Sequence, residues 1–387
     1  MLLPCIRTSV RKLTTGDEVL LYLSRQYHLP AKMKAMVIND YIESVADMKT
    51  DFEHVCPTEA DLKPNQAIVK VHAASVNYLD IEVLKGFGRK YINLLRKQAN
   101  VDEFPLILGR DYSGEIVATG KKFKRFEPGD EVYGISGLCH QGSHAEYTVV
   151  NRHEVSAKPK NLSHVEAATI PGVGSIGWNV LVETGAISKG GKHRRVFIPG
   201  GSGGFGVFAC QLCVLFGHTV VTTCPTHAVN LLEGLGVHRV IDYQSPWYED
   251  DLRSSGPFDV IVGTLRQQKH IEFFQKLLKP QLGSQYISLH PNLLEEGDEE
   301  KSGLGGSTAV GNLFKFTINQ QYTGKGLFQW GFNGHEGHAL NEIGKFLEEG
   351  TIRPVIDKVF PFENIVDAYK HFDSGNVSGK TVISFVD

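Results

Sequence analysis

Between Val196 and Gly206 the chain reads Val-Phe-Ile-Pro-Gly-Gly-Ser-Gly-Gly-Phe-Gly, and a long apolar stretch follows as far as Phe216. No other segment restricts the fold as much. An apolar strand that empties into glycines at positions 200, 203 and 206, ahead of an apolar helix, is the first half of a βαβ unit. Bare glycines let the main chain turn tightly and approach a diphosphate, whose charge meets the free N–H groups at the helix N-terminus. A second strand, Thr219 to Thr223, follows at the right distance. The turn residues Gly200, Ser202, Gly203, Gly204, Phe205 and Gly206 are therefore candidate dinucleotide-binding residues. A plain tight turn is the alternative.

An acid at the end of the second strand would hold the ribose hydroxyls of NAD. This chain instead reads Thr-Thr-Cys-Pro-Thr-His from Thr222 to His227, with no carboxylate to repel an added phosphate. Cys224 at that strand end and Tyr243 closing the next strand join the candidate set, with His227 as a further hydrogen-bond donor. The expected coenzyme is NADPH; simple packing is the other reading of Tyr243.

Beyond about Ser163, strand and helix signals alternate: Ser163 and Glu166 form a capping box, and strands are expected at 196–198, 219–223, 239–242, 258–262 and 286–289. Nearly continuous apolar strands between helices indicate a parallel sheet covered on both faces. Ahead of it, short strands at 34–39, 67–73, 116–118, 131–133 and 147–150, punctuated by turns such as Pro128-Gly129-Asp130, indicate a β-rich, barrel-like domain. A charged, glycine-containing surface loop is expected over 294–306. At 387 residues, two domains are the natural division. The expected boundaries are a leader over 1–27, a β-rich catalytic domain over 28–160, a dinucleotide-binding domain over 161–335, and a segment over 336–387 returning to the catalytic domain.

The net charge of −3 carries no signal for nucleic acid, and no apolar run is long enough to span a bilayer. In the leader, Leu2, Leu3, Ile6 and Val10 alternate with Arg7, Arg11 and Lys12, and no acid precedes Asp17. This is the composition of a mitochondrial transit peptide; an ordinary N-terminal tail is the alternative. The six cysteines are scattered, and Cys210 and Cys213 read as core thiols. Cys139, His140 and His144 read as ordinary loop residues, because a fourth ligand at metal-binding spacing is lacking.

The elements Phe104 to Gly114 (FPLILGRDYSG), Pro128 to Val132 (PGDEV) and Gly142 to Tyr147 (GSHAEY), together with the glycine turn, resemble the medium-chain dehydrogenase/reductase superfamily from about Lys34 to the end. The chain is most similar to its zinc-free, quinone-reductase-like branch. The resemblance implies an α/β fold: a GroES-like β-rich catalytic domain plus a doubly wound Rossmann sheet, with NADPH in the cleft between them. It also implies a mitochondrial location and a link to ubiquinone biosynthesis.

Zinc-dependent members carry a Gly-His-Glu element and a run of four cysteines. Here Gly109-Arg110-Asp111 stands in that place and the cysteine run is lacking, so no metal site is expected. Without a Lewis acid, hydride addition to a quinone or an activated enone is favoured over alcohol oxidation. By resemblance, Asn77 hydrogen-bonds substrate or carboxamide and Tyr78 is a candidate proton donor, while Leu289, His290, Gly331, Phe332 and Lys380 complete the cofactor cleft. The family's Gly-Tyr-Gly tyrosine is replaced by Phe87, which has no proton to give; it also reads as a stacking wall or core. The nicotinamide end differs as well, since Val260 to Arg266 lacks the usual Asp-x-x-Gly pattern. A mitochondrial enoyl-thioester reductase, and an NADPH-binding protein that serves biosynthetic or membrane protein partners with little catalysis, stand as alternatives. A homodimer is left open.

Overall fold

The structure is a computed structural model. It describes residues 29–289 apart from 100, 139, 185, 266 and 282, then 327–330 and 336–386. The leader 1–27, the loop 294–306, Cys139, His290, Gly331 and Phe332 lie outside the described residues.

The first half is all but β. Strands β1 (Lys32–Ile38), β2 (Thr50–Val55) and β4 (Leu106–Ile107) form a three-stranded sheet in the order β2-β1-β4. The larger sheet runs β15 (Ile356–Pro361), β16 (Lys380–Ser384), β3 (Gln66–Ser75), β5 (Asp111–Thr119), β6 (Glu131–Ile135) and β8 (Val155–Ala157), with β7 (Tyr147–Asn151) paired to β3. Its last two strands come from the C-terminus, where β16 pairs antiparallel with β3 through Val382 opposite Ser75. Two helices, α1 (Tyr78–Leu84) and α2 (Arg89–Ala99), interrupt the strands. They occupy a stretch that the sequence reading left without structure.

The second half is a six-stranded parallel sheet: β9 (Arg195–Ile198), β10 (Thr219–Cys224), β11 (Arg239–Asp242), β12 (Val260–Gly263), β13 (Gln285–Ser288) and β14 (Leu327–Trp330). The order is β11-β10-β9-β12-β13-β14, the doubly wound Rossmann arrangement. Alternation of side chains along each strand sends every second residue to one face. Val196, Ile198, Val220, Val260 and Val262 enter one apolar cluster, while Phe197, Val221 and Ile261 enter another. The first cluster is covered by α4 (Pro171–Trp178), α5 (Gly204–Leu215) and α9 (Glu336–Glu348), through Trp178, Phe208, Leu340 and Phe346. The second is covered by α7 (Tyr248–Ser255) and α8 (Gln268–Gln275), through Leu252 and Phe274. Two-sided burial is why these strands read as continuous apolar runs. Cys210 and Cys213 are fully buried in the first cluster.

The halves are joined by α3 (His164–Ala167), opened by the capping box: Ser163 Oγ accepts from Glu166 N–H at 3.2 Å, and Glu166 Oε2 accepts from Ser163 N–H at 2.8 Å. Across the joint, the buried Tyr133 hydroxyl of β6 donates to the Leu340 carbonyl of α9 at 2.7 Å. Two further α-helices among the described residues are α6 (Val229–Gly234) after β10 and α10 (Ile365–Asp373) between β15 and β16.

Candidate active site

Strand order reverses at β9, with β10 on one side and β12 on the other, and the glycine turn leaves from the carboxyl end of β9. Open α/β sheets bind ligands at this kind of switch point. Gly200 has φ +69°, a left-handed conformation that glycine adopts without strain. Thr223 and Thr264 fasten the turn to the neighbouring strands: Gly200 N–H donates to Thr223 Oγ1 at 3.1 Å, Gly201 N–H donates to the Thr223 carbonyl at 2.8 Å, and Thr264 Oγ1 donates to the Pro199 carbonyl at 2.9 Å.

The other glycines are there for clearance. A Cβ on Gly206 would lie 2.3 Å from the Gly200 carbonyl oxygen and 2.6 Å from Gly201 Cα, so helix and turn meet only through a bare Cα. One on Gly204 would lie 2.5 Å from Lys380 Cδ. At Gly203, by contrast, a Cβ would meet, among the described residues, only the Gly200 carbonyl oxygen, at 3.6 Å. Among those residues the position is open. The first bond of the α5 ladder runs from Val207 N–H to the Gly203 carbonyl at 2.9 Å, so the N–H groups of Gly204, Phe205 and Gly206 precede the ladder. An open bare main chain with helix N–H groups at its mouth fits a diphosphate. Ser202 is buried beneath, and its carbonyl accepts from Gly379 N–H at 2.8 Å, which brings the C-terminal segment alongside the turn.

At the far end of β10, Cys224 is fully buried; burial pushes its thiol up to about 11, and its carbonyl accepts from Tyr243 N–H at 3.0 Å. The Cys224 side chain belongs to the first apolar cluster of the Rossmann sheet. Tyr243 is 48% exposed. Beside it sits an acid that inspection of the second strand alone did not bring out. Asp242 ends β11, where its carboxylate accepts from Thr226 Oγ1 at 2.6 Å and from Gln244 N–H at 2.8 Å. His227 is exposed and its Nε2 lies 3.3 Å from Ser378 Oγ. Leu289 is half-buried after β13, its N–H bonded to the Gly263 carbonyl at 3.0 Å.

On the catalytic-domain side, buried polar groups converge on Asn77, the residue that opens α1. Asn77 N–H donates to Asp80 Oδ2 at 2.8 Å, and Asn77 Nδ2 donates to Asp111 Oδ2 at 3.0 Å. Asn77 Oδ1 accepts from Lys380 Nζ at 2.6 Å. Lys380 also donates to the Val76 carbonyl at 3.1 Å and to Asp111 Oδ2 at 3.3 Å, while Ser75 Oγ donates to the same Asp111 oxygen at 2.9 Å. All three ammonium hydrogens of Lys380 therefore point into the catalytic domain, and its methylene stem lies against the glycine turn. Burial pushes the Asp80 carboxyl up to about 7, against the pull of the Asn77 N–H. Arg110 donates to the Gly137 carbonyl at 2.7 Å and burial brings its guanidinium down to about 10.

His144 is fully buried between Ser75 and Tyr369, with Nδ1 2.9 Å from the Tyr369 hydroxyl, and burial lowers it to about 3. His140 pairs separately with Asn151 at 2.8 Å. Among the described residues, no three His, Cys, Asp or Glu side chains are grouped to hold a metal ion. Tyr78 is 46% exposed beside Asn77, and Phe87 is half-buried between two left-handed glycines, Gly86 and Gly88.

Sequence reasoning singled out Asn77 and Lys380 separately. It did not join them, because the contact spans 303 positions. Asp80 and the Lys380–Asp111 pair also escaped notice. The one available signal was the Gly109-Arg110-Asp111 element, which was read as a mark of the family branch and for the Gly-His-Glu it replaces, not for the ion pair of Asp111.

Comparison with known proteins agrees with this architecture. Residues 63–160 match the alcohol dehydrogenase GroES-like domain, and residues 235–383 match the family described as zinc-binding dehydrogenase. The NAD(P)H oxidoreductase RTN4IP1, mitochondrial, of Danio rerio is 38% identical over 333 residues, covering 84% of each chain. A 2-methylene-furan-3-one reductase of Solanum lycopersicum is 30% identical over 370 residues, covering 93% of this chain and 81% of that protein. Among solved structures, the quinone oxidoreductase from Coxiella burnetii superposes with a TM-score of 0.71 at 24% identity, over 92% of this chain and 99% of that one. A switch-point turn open to a diphosphate, on a GroES-like and Rossmann pair, with this likeness to RTN4IP1, identifies the protein as a member of the medium-chain dehydrogenase/reductase superfamily and a mitochondrial NAD(P)H oxidoreductase.

Proposed function

We propose that the protein is an NADPH-dependent, zinc-independent reductase that transfers hydride to a quinone or an activated enone, in a step linked to ubiquinone biosynthesis. The observation that carries this reading is the open face of Gly203 at the mouth of α5, next to Gly204, against which lies the stem of Lys380, the residue bonded to Asn77. The diphosphate is assigned to the turn from Gly200 to Gly206, Ser202 included. The ribose and its phosphate are assigned to Cys224 main chain, Tyr243 and His227, and the nicotinamide end to Leu289, His290, Gly331, Phe332 and the stem of Lys380. When bound, the coenzyme supplies the hydride; the protein's part is to place it and to stabilise charge on the acceptor.

The choice of NADPH rests on the exposed Tyr243, with Asp242 turned toward Thr226 and Gln244. The choice of acceptor rests on Phe87, which gives no proton, and on the related tomato reductase, whose named substrate is an enone. Residues 1–27 are assigned as the import signal. Titration of the protein with NADPH and NADH, followed by oxidation of the preferred coenzyme with short-chain ubiquinone analogues, tests the reading. Tighter binding of NADPH, turnover with quinone, and a loss of about tenfold in NADPH preference for Tyr243→Phe are expected, roughly the 1.4 kcal/mol of one hydrogen bond to a charged group. Equal affinity for both coenzymes in the wild type sinks the NADPH assignment.

A further inference from the structure

Lys380 Nζ, Asp111 Oδ2 and the Asn77 amide form a closed ring: Lys380 to Asn77 Oδ1 at 2.6 Å, Asn77 Nδ2 to Asp111 Oδ2 at 3.0 Å, and Lys380 to Asp111 at 3.3 Å. The ring settles the amide orientation, because an ammonium only donates and a carboxylate only accepts. It also decides which amide hydrogen is used. To close on an acceptor that itself touches Lys380, the donated hydrogen is the one on the same side as Oδ1. The second hydrogen is thereby directed away from the ion pair. Lys380 and Asp111 are buried, at 4% and 0% exposure, whereas Asn77 is only half-buried at the start of α1 beside the exposed Tyr78. The charges are sealed in, and Asn77 is the member of the ring that is not fully buried.

We propose that Lys380, held by Asp111, polarises the Asn77 amide so that its outward N–H stabilises the negative charge that develops on the acceptor's carbonyl oxygen during reduction. This rests on the reductase reading above. Asn77 is then the catalytic residue, and Lys380 and Asp111 are positioning residues.

The physical reason is cooperativity. A charge-assisted bond to an amide oxygen draws electron density toward the oxygen and makes the amide hydrogens better donors, the more so where water is excluded. The step balances without a protein-derived proton. With a dihydronicotinamide bound, its hydride would add to the conjugated carbon, the C=C pair would shift toward the carbonyl carbon, the carbonyl π pair would move onto oxygen, and water would protonate the resulting enolate or phenolate. In a chain with Gly109-Arg110-Asp111 where relatives carry Gly-His-Glu, positive charge thus bears on the reacting oxygen through one intervening amide.

The test uses the full chain with Asn77→Ala, Lys380→Met, and Lys380→Met/Asp111→Asn, the last removing both charges so that neither ion is left buried alone. Coenzyme titration by fluorescence comes first. If the wild type takes up no coenzyme, the reductase reading itself fails, whatever these variants do. With coenzyme saturating, single-turnover reduction is followed over a series of acceptors of falling electrophilicity. Since one oxyanion donor is worth about 100-fold, Asn77→Ala is expected to lose that order with weakly electrophilic enones and little with benzoquinone, the Lys380 variants to lose less in the same pattern, and Asn77→Ala added to the charge-free double variant to lose no more than Asn77→Ala alone.

A second readout needs no turnover. Redox-inert phenols of graded acidity, titrated in the presence of NADP⁺, should bind the wild type more tightly as their acidity rises, and the variants without that trend. An equal loss for every acceptor, a wild-type phenol trend in the folded double variant, or additive losses with Asn77→Ala would each overturn the proposal.

Discussion

At the scale of single residues, the polar centre of the catalytic domain is set by burial. Asp80 lies fully buried near Asp111, Arg110 and Lys380, and loss of hydration outweighs the Asn77 N–H in holding its proton up to about pH 7. An ordinary aspartate ionises near pH 4. Between those values the unfolded chain has released the proton while the native protein keeps it. The stability from this group is therefore full below about pH 4 and is lost as pH rises through 7. Asp80→Asn, which cannot ionise, is expected to gain melting temperature relative to the wild type between pH 5 and pH 8. Parallel melting curves for the two proteins across that range would show that Asp80 does not titrate there. No sequence pattern announces this, since desolvation depends on what closes over the carboxyl.

At the scale of elements, the glycine turn and α5 were fully legible, because the pattern of an apolar strand, spaced glycines and an apolar helix has few other uses. The structure separates what the glycines do. Gly206 is bare so that helix and turn can touch, whereas Gly203 is bare toward open space. Gly203 has φ −68°, which any residue accepts. Gly203→Val is thus expected to melt like the wild type but to bind NADPH at least 100-fold more weakly, about 2.7 kcal/mol. Gly206→Val is expected to lose stability first, because its side chain would overlap main-chain atoms. Wild-type coenzyme affinity in folded Gly203→Val would remove the turn from the binding site. Helices α1 and α2 went unread for an opposite reason. Their start, Asn77, and their intervening glycines look like loop punctuation, and the burial of Ile81, Leu84 and Ile92 becomes visible only once β1 and β4 lie beneath them.

At the scale of the whole molecule, the C-terminus ties the domains together. After α9 completes one face of the Rossmann sheet, β16 crosses back to pair with both β15 and β3, and on the way Gly379 N–H donates to Ser202 in the glycine turn. The last strand therefore edges the glycine turn, extends the sheet of the β-rich domain and carries Lys380 to Asp111. Deleting residues 375–387 is expected to abolish coenzyme binding and to leave the β-rich domain without cooperative unfolding, since β3 would lose a neighbour and Asp111 its counter-charge. Calorimetry reads the outcome; a truncated chain that melts in one wild-type-like transition would contradict it.

The amino-acid sequence by itself determined the fold class, the glycine turn and the family, because each is written in local spacing: apolar period, turn chemistry and bare positions next to a helix start. It also brought Asn77 and Lys380 into view as separate residues. Only the tertiary structure decided that they touch, that Asp111 closes the ring, and that the Asp242 carboxylate is taken up by Thr226. The cause is physical. Hydration, charge proximity and hydrogen-bond closure act through space, and residues some three hundred positions apart become neighbours only when the last strand folds back onto the third.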